Sequence, residues 1–136
     1  MSEVTRTVLQ PPEWARPRGY ANGIAVSGGT TVYIAGQIGW NGQCVFESHD
    51  FAGQFRQALA NILAVLAQAG GRPEHVVRLT WYVVDKQEYL GALTEVGAAW
   101  RELMGRNFPV MAVVQVGALV EDAARLEIEA TAVIPG

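Results

Sequence analysis

The chain of 136 residues carries a formal net charge of −3, and 50% of it is hydrophobic against 17% charged. That balance argues against a broad nucleic-acid-binding face, which needs basic side chains to neutralise phosphates. A single cysteine, Cys44, excludes an intrachain disulfide, and no uninterrupted apolar run is long enough to span a bilayer.

In chain order, a short strand is expected near Thr5 to Leu9, followed by an irregular segment marked by Pro11-Pro12 and Pro17. Gly23 to Val26 and Thr31 to Ala35 are apolar and β-prone, and Ser27-Gly28-Gly29-Thr30 between them reads as the turn of a hairpin. Asn41-Gly42-Gln43 is a loop. Asp50 caps a helix whose residues Phe51, Phe55, Leu59, Ile62 and Leu66 fall on one stripe; Gly70-Gly71 and Pro73 end it. Val77 to Val84 is the next strand, with Val77, Leu79, Trp81 and Val83 alternating with Arg78, Thr80 and Tyr82.

Asp85-Lys86-Gln87-Glu88 has the pattern of a capping box. The helix behind it sets Tyr89, Leu93, Val96, Trp100 and Leu103 on one face, and Gly105 stops it. Two strands near Val110 to Val116 and Arg125 to Val133 complete the pattern. These elements predict an α+β fold with a single mixed β-sheet and two helices packed on one face. The other face is then bare, with Trp81 or the Val113/Val114 pair candidates to sit on it. Burying that face, and accounting for so little charge, calls for other copies of the chain. Residues 1–136 read as one domain, and the N-terminal residues lack the apolar core of a signal peptide. The expectation is a soluble, cytoplasmic protein without a membrane partner.

Motifs for several chemistries are missing. There is no Gly-x-Ser-x-Gly elbow, His-x-x-x-His pair, Cys-x-x-Cys or Gly-x-x-x-x-Gly-Lys loop. His49 and His75 stand beside acidic residues near expected helix starts, where capping or surface roles suit them, and one Cys with two His does not make a structural zinc site. Strand alternation puts Glu127 and Glu129 on one face with Arg125 and Thr131, while Leu126, Ile128, Ala130 and Ala132 face the core. Two readings of that face stay open: a solvated, salt-bridged surface, or a carboxylate held in a cleft as general base on water.

Gly19-Tyr20, Ile34-Ala35-Gly36-Gln37-Ile38, Val77 through Asp85, Phe108-Pro109-Val110-Met111 and Leu126 through Val133 occur in a telling order. From about Arg18 to Val133 the chain resembles the reactive intermediate deaminase family, the RidA/YjgF proteins. The resemblance implies a chorismate-mutase-like fold, a homotrimeric ring with a deep cleft at each interface, and no metal or organic cofactor. It implies hydrolysis of a 2-imino or enamine acid to a 2-keto acid and ammonia. Carried over by position, Tyr20 packs near the substrate, the backbone of Gly36 approaches the ligand, and Glu127 positions or activates the attacking water.

Three positions depart from the family pattern. Met111 stands where the family has the arginine that grips the substrate carboxylate, and a methionine neither donates a hydrogen bond nor carries charge. Ala35 replaces a common serine and Gly97 a common asparagine. Either another cation substitutes, with Arg18 and Arg16 as candidates, or the ligand is larger or less charged and Trp14 and Trp40 line an apolar cleft. The leading expectation is a divergent deaminase-type hydrolase acting on a small imine or enamine metabolite, poor on simple 2-imino acids. The alternative is a non-catalytic metabolite-binding homotrimer that retains the cleft. RNA cleavage has least support, given the acidic balance and the lack of a histidine pair. A dicarboxylic enamine such as aminomuconate gains no firm support from any residue.

Overall fold

A computed structural model describes residues 3–136. Strands β1 (Thr5–Leu9), β2 (Gly23–Ser27) and β3 (Thr30–Ile38) precede helix α1 (Phe51–Ala67). Then come β4 (Val76–Val83), α2 (Lys86–Gly91), α3 (Leu93–Met104), β5 (Val110–Gln115) and β6 (Leu126–Ile134). The expected α+β fold is present: one mixed sheet in the order β3-β6-β4-β5, with the helices packed against one face. Only β4 and β5 run parallel, because the two helices between them carry the chain back across the sheet.

The α1 stripe is as the spacing predicts. Phe55, Leu59, Ile62 and Leu66 are fully buried, each contributing on the order of 1.5–3 kcal/mol of hydrophobic stabilisation. Asp50 accepts a hydrogen bond from the Gly53 N–H at 2.7 Å and so caps the first turn. Across the sheet, Leu126, Ile128, Ala130 and Ala132 face α1, and Glu127, Glu129 and Thr131 point the other way.

Four local expectations need correction. The turn at Gly28-Gly29 exists, with φ of 78° and 76° that favour glycine, but β2 and β3 do not form a hairpin. Five consecutive residues of β2 pair with β1 instead, and β3 pairs with β6. Arg6 of β1 anchors that ribbon by donating to the carbonyls of Glu74 and Val76 at 2.6 and 3.0 Å. Burial holds its pKa below the ordinary arginine value.

Second, the register of β4 against β6 shifts between Val76 and Arg78, so Val76 rather than Val77 enters the core. Third, Trp81 does not sit on the bare face. It is 4% exposed, beneath the helices and stacked on Phe55 with centroids 4.7 Å apart. Fourth, the second helix is two helices. Ala92 breaks it at φ −114° and ψ 15°, next to Gly91, a weak helix former. Asp85 caps α2 by accepting from the Gln87 N–H, but Glu88 does not close a capping box: it accepts from Arg125 at 2.8 and 3.0 Å.

Candidate functional site

A row of aromatic rings crosses the core and ends at a cavity. Trp81 follows Phe55 in the row, Trp100 of α3 stacks 6.4 Å beyond Trp81, and Phe108 lies 6.2 Å beyond Trp100. Tyr89 meets Trp81 edge-on at 5.8 Å. Aromatic pairs of this kind add about 0.5–1.5 kcal/mol each beyond their buried area. Between α3 and β5, the last rings of the row wall a cavity of about 720 Å³. The indole N–H groups of Trp81 and Trp100 are buried and have no hydrogen-bond partner among the described residues.

Four residues singled out in the sequence line this cavity: Arg18, Tyr20, Gly97 and Met111. The backbone explains how the first two arrive. The Ala21 N–H donates to the Pro109 carbonyl at 3.1 Å, and Ala21 forms a parallel bridge with Val110. The preceding Arg18-Gly19-Tyr20 turn is thereby laid along the outer edge of β5. Met111 pairs with Leu79 and packs on the helix side of the sheet. Tyr20 and Met111, at that edge, also border a smaller hollow with Arg78 and Thr80 on the other side of the strand.

Glu127 and Gly36 form a second group. A register shift between Ile34 and Gln37 exposes Ala35 and Gly36 on β3, beside β6. An ideal Cβ on Gly36 would lie 2.8 Å from Cδ of Glu127, so only glycine leaves the space that the carboxylate occupies. The two glutamates differ in engagement. Tyr82 donates its hydroxyl to Glu129 at 2.7 Å, and this bond raises the Tyr82 pKa. Glu127 accepts no side-chain hydrogen bond among the described residues. It is half-buried and keeps its oxygens available to a water or ligand.

These two groups do not meet within one chain. Strand alternation places Glu127 on the face opposite the buried Leu126 and Ile128, whereas Met111 packs toward the helices. The wall of the larger cavity contains neither Gly36 nor Glu127.

Other candidates fall elsewhere. Arg16 lines an adjoining hollow with Arg6 and Glu74, which shares Tyr20, Arg106 and Phe108 with the cavity. Trp14 is 60% exposed, and Trp40 packs on Phe46 at 5.8 Å, so the aromatic wall comes from other residues. Sequence reasoning missed Arg101 and Arg106, which join Arg18 around the cavity. No motif marks them; the closure of α3 over β5 brings them there. His75 accepts from the Arg72 N–H at 2.9 Å, a capping role, and His49 is exposed. Among the described residues no group of three or more His, Cys, Asp or Glu is placed to hold a metal.

Comparison with known proteins agrees with this architecture. A family profile described as Endoribonuclease L-PSP matches residues 15–134. The human protein named 2-iminobutanoate/2-iminopropanoate deaminase is 33% identical over 137 residues, covering 98% of this chain and 93% of that protein. A RutC family protein of Haemophilus influenzae is 34% identical over 109 residues, covering 80% of this chain and 83% of its own. Among solved structures, the Rid family protein YyfB of Yersinia pestis superposes with a TM-score of 0.83 at 32% identity, covering 95% of this chain and 98% of its own. With the family profile running through both residue groups and the fold shared to this degree, the chain belongs to the RidA/YjgF family.

Proposed function

We propose that this protein is a divergent deaminase-type hydrolase of a small imine- or enamine-bearing metabolite, working as a homotrimer with its sites between copies. The observation that carries the reading is the separation of the two residue groups. Glu127 over Gly36 is a free carboxylate on an open sheet face, and Tyr20 with Met111 lies at the edge of β5. A second copy set against the open face would bring the two groups together.

Two further features support association. Strands β3 and β5 are the outer strands of the four-stranded sheet, and β5 is covered on its outer edge only at Val110, by the bridge to Ala21; exposed edges invite pairing or cover. Tyr33 and Val114, both on the open face, are 81% and 42% exposed. A single exposed cysteine fits a reducing, cytoplasmic setting.

The chemistry follows from an electrophile already in hand. A protonated imine carbon accepts water once a base removes a proton from it, and Glu127 is the carboxylate free to do so. The proton then passes to nitrogen, ammonia departs, and the carbonyl forms. Tyr20 contributes a wall and a hydroxyl. Met111 supplies no charge, so a short 2-imino acid finds no carboxylate anchor at that position of β5. Losing a charged hydrogen bond costs about 1.5–3 kcal/mol, or roughly 10- to 100-fold in affinity. The relatives named deaminases of 2-iminobutanoate and 2-iminopropanoate therefore indicate the reaction class more than the substrate. The endoribonuclease of the family description gains no support from a net charge of −3.

The test is ammonia release from imino acids generated in situ by an amino-acid oxidase, wild type against Glu127→Gln. Turnover that falls by about two orders of magnitude or more in the variant supports the base role. Equal turnover by both would remove Glu127 from the mechanism. Binding without turnover for every imine offered would leave the non-catalytic metabolite-binding trimer.

A further inference from the structure

The cavity between α3 and β5 is far larger than a short acid needs. At about 720 Å³ it falls among sites of roughly 300–1,000 Å³ that enclose ligands of drug size. Aromatic rings contribute to its wall: the planes of Trp100 and Phe108 are nearly parallel, 4° apart, and Phe108, 38% exposed, is the more open of the two. Such walls accept a planar apolar body in stacked or edge-on contact. The thioether of Met111, unable to hold a carboxylate, is a good neighbour for an aromatic ring.

The charge of the cavity is of one sign. Arg18, Arg101 and Arg106 line it and no Asp or Glu does. Among the described residues, none of these three takes part in a salt bridge. That is a local concentration of cations in a chain of net charge −3. Arg101 is aimed by its helix. An ideal Cβ on Gly97, one turn earlier on α3, would stand 3.5 Å from the Arg101 Nη1. The guanidinium therefore lies back over Gly97, itself a lining residue. Gly97 and Arg101 act together: the missing side chain makes the room that the guanidinium overhangs.

We propose that this cavity selects an acid with an aromatic body, namely the 2-imino acid of an aromatic amino acid. The ring rests against Trp100, Phe108 and Met111, and the carboxylate pairs with Arg101 and Arg18. The anchor absent at Met111 is thus supplied from α3 and from the turn before Tyr20. The assignment rests on the hydrolase reading for the reacting C=N group, while the binding itself does not. In the reaction, water adds to the iminium carbon and the carbinolamine expels ammonia. R–C(=NH2+)–COO− and H2O become R–CO–COO− and NH4+, with no oxidant or reductant consumed.

The probe is phenylpyruvate, the 2-oxo product of this class. It is compared by isothermal titration calorimetry with pyruvate, which lacks the ring, and with benzyl methyl ketone, which lacks the carboxylate. Phenylpyruvate is expected to bind the wild-type protein at least about 10-fold more tightly than either. Arg101→Gln, an exposed helix position that leaves the core untouched, is expected to weaken phenylpyruvate about 10-fold or more. Its effect on the ketone is expected to be less than about two-fold. Gly97→Leu, which fills the space beneath Arg101, should weaken phenylpyruvate as well, with melting curves checking that both variants fold. Equal affinities for phenylpyruvate and pyruvate would overturn the proposal, as would an Arg101→Gln variant that binds phenylpyruvate like wild type. The readouts separate the two readings. Tight phenylpyruvate binding in a protein that hydrolyses no imino acid supports the cavity and sinks the hydrolase. Hydrolysis without preference for the aryl acid sinks the cavity alone.

Discussion

Glu127 occupies the space that a side chain on Gly36 would need: an ideal Cβ there would lie 2.8 Å from the Glu127 Cδ. Gly36→Ala therefore displaces the carboxylate without touching the core, since Gly36 is exposed at a β3 irregularity. Ammonia release should fall about 10-fold or more, because a misplaced base loses reach to its water. The melting temperature should change little. Parallel kinetics and thermal melts check the pair of outcomes, and unchanged turnover would detach Gly36 from the site.

Restoring a guanidinium at the edge of β5 should move specificity. Met111→Arg places a bidentate donor beside Tyr20, and hydrolysis of iminopropanoate should rise by about 10- to 100-fold in kcat/KM. Turnover of the bulkier aryl imino acid should rise less or fall, since the new side chain takes room in the cavity. The ratio of the two kcat/KM values measures this directly.

Among the described residues Gln54 is the only polar one with a fully buried side chain, and it holds α1 to the segment that leads into β6. Its Nε2 donates to the carbonyls of Ser48 and Ala123 at 3.1 and 2.9 Å, and its Oε1 accepts from the Arg125 N–H at 2.7 Å. Gln54→Leu keeps the volume and strands three backbone groups. The expected loss is about 3 kcal/mol, read as a lower urea midpoint. A loss under about 0.5 kcal/mol would show that the segment re-pairs its backbone elsewhere.

The hydrogen bond from Tyr82 to Glu129 raises the Tyr82 pKa above its ordinary value of 10.0, with nearby Glu127 adding to the shift. A folded-state pKa above the unfolded one means the native state holds this proton more tightly. The stabilisation is complete below pH 10 and is lost as pH climbs through the raised value. Tyr82→Phe should remove that alkaline component and leave stability at neutral pH nearly unchanged, since the bond is exposed. Phenolate absorbance during an alkaline titration of both proteins follows it. A Tyr82 that ionises with the free-tyrosine pKa would contradict the assignment.

Much of the fold was legible because its signals are local. The α1 stripe, the Asp50 cap and the alternation of β6 each follow from a few neighbouring residues. What escaped depends on distant partners. The pairing of β2 with β1 rather than β3 goes with a ribbon whose Arg6 reaches carbonyls 68 and 70 residues away. Trp81 lies on the helix side with Leu79 and Val83, the side that alternation gives it once that face is known to be the core, and it stacks there on Phe55 of α1 and Trp100 of α3. The same holds for the candidate site. Tyr20, Arg18 and Met111 line one cavity, whereas Arg101 reads in sequence as an ordinary helix-surface arginine. Only the approach of α3 to β5 turns it into a cavity residue.

The central claim is that a working site needs Tyr20 from one copy and Glu127 from the next. Tyr20→Ala and Glu127→Gln, each nearly inactive alone, can be mixed, dissociated and reassembled. In a ring of heterologous interfaces, about a quarter of the sites in an equal mixture then carry both native side chains. The account predicts recovery of roughly that fraction of wild-type ammonia release. A mixture no more active than its two parents would contradict it.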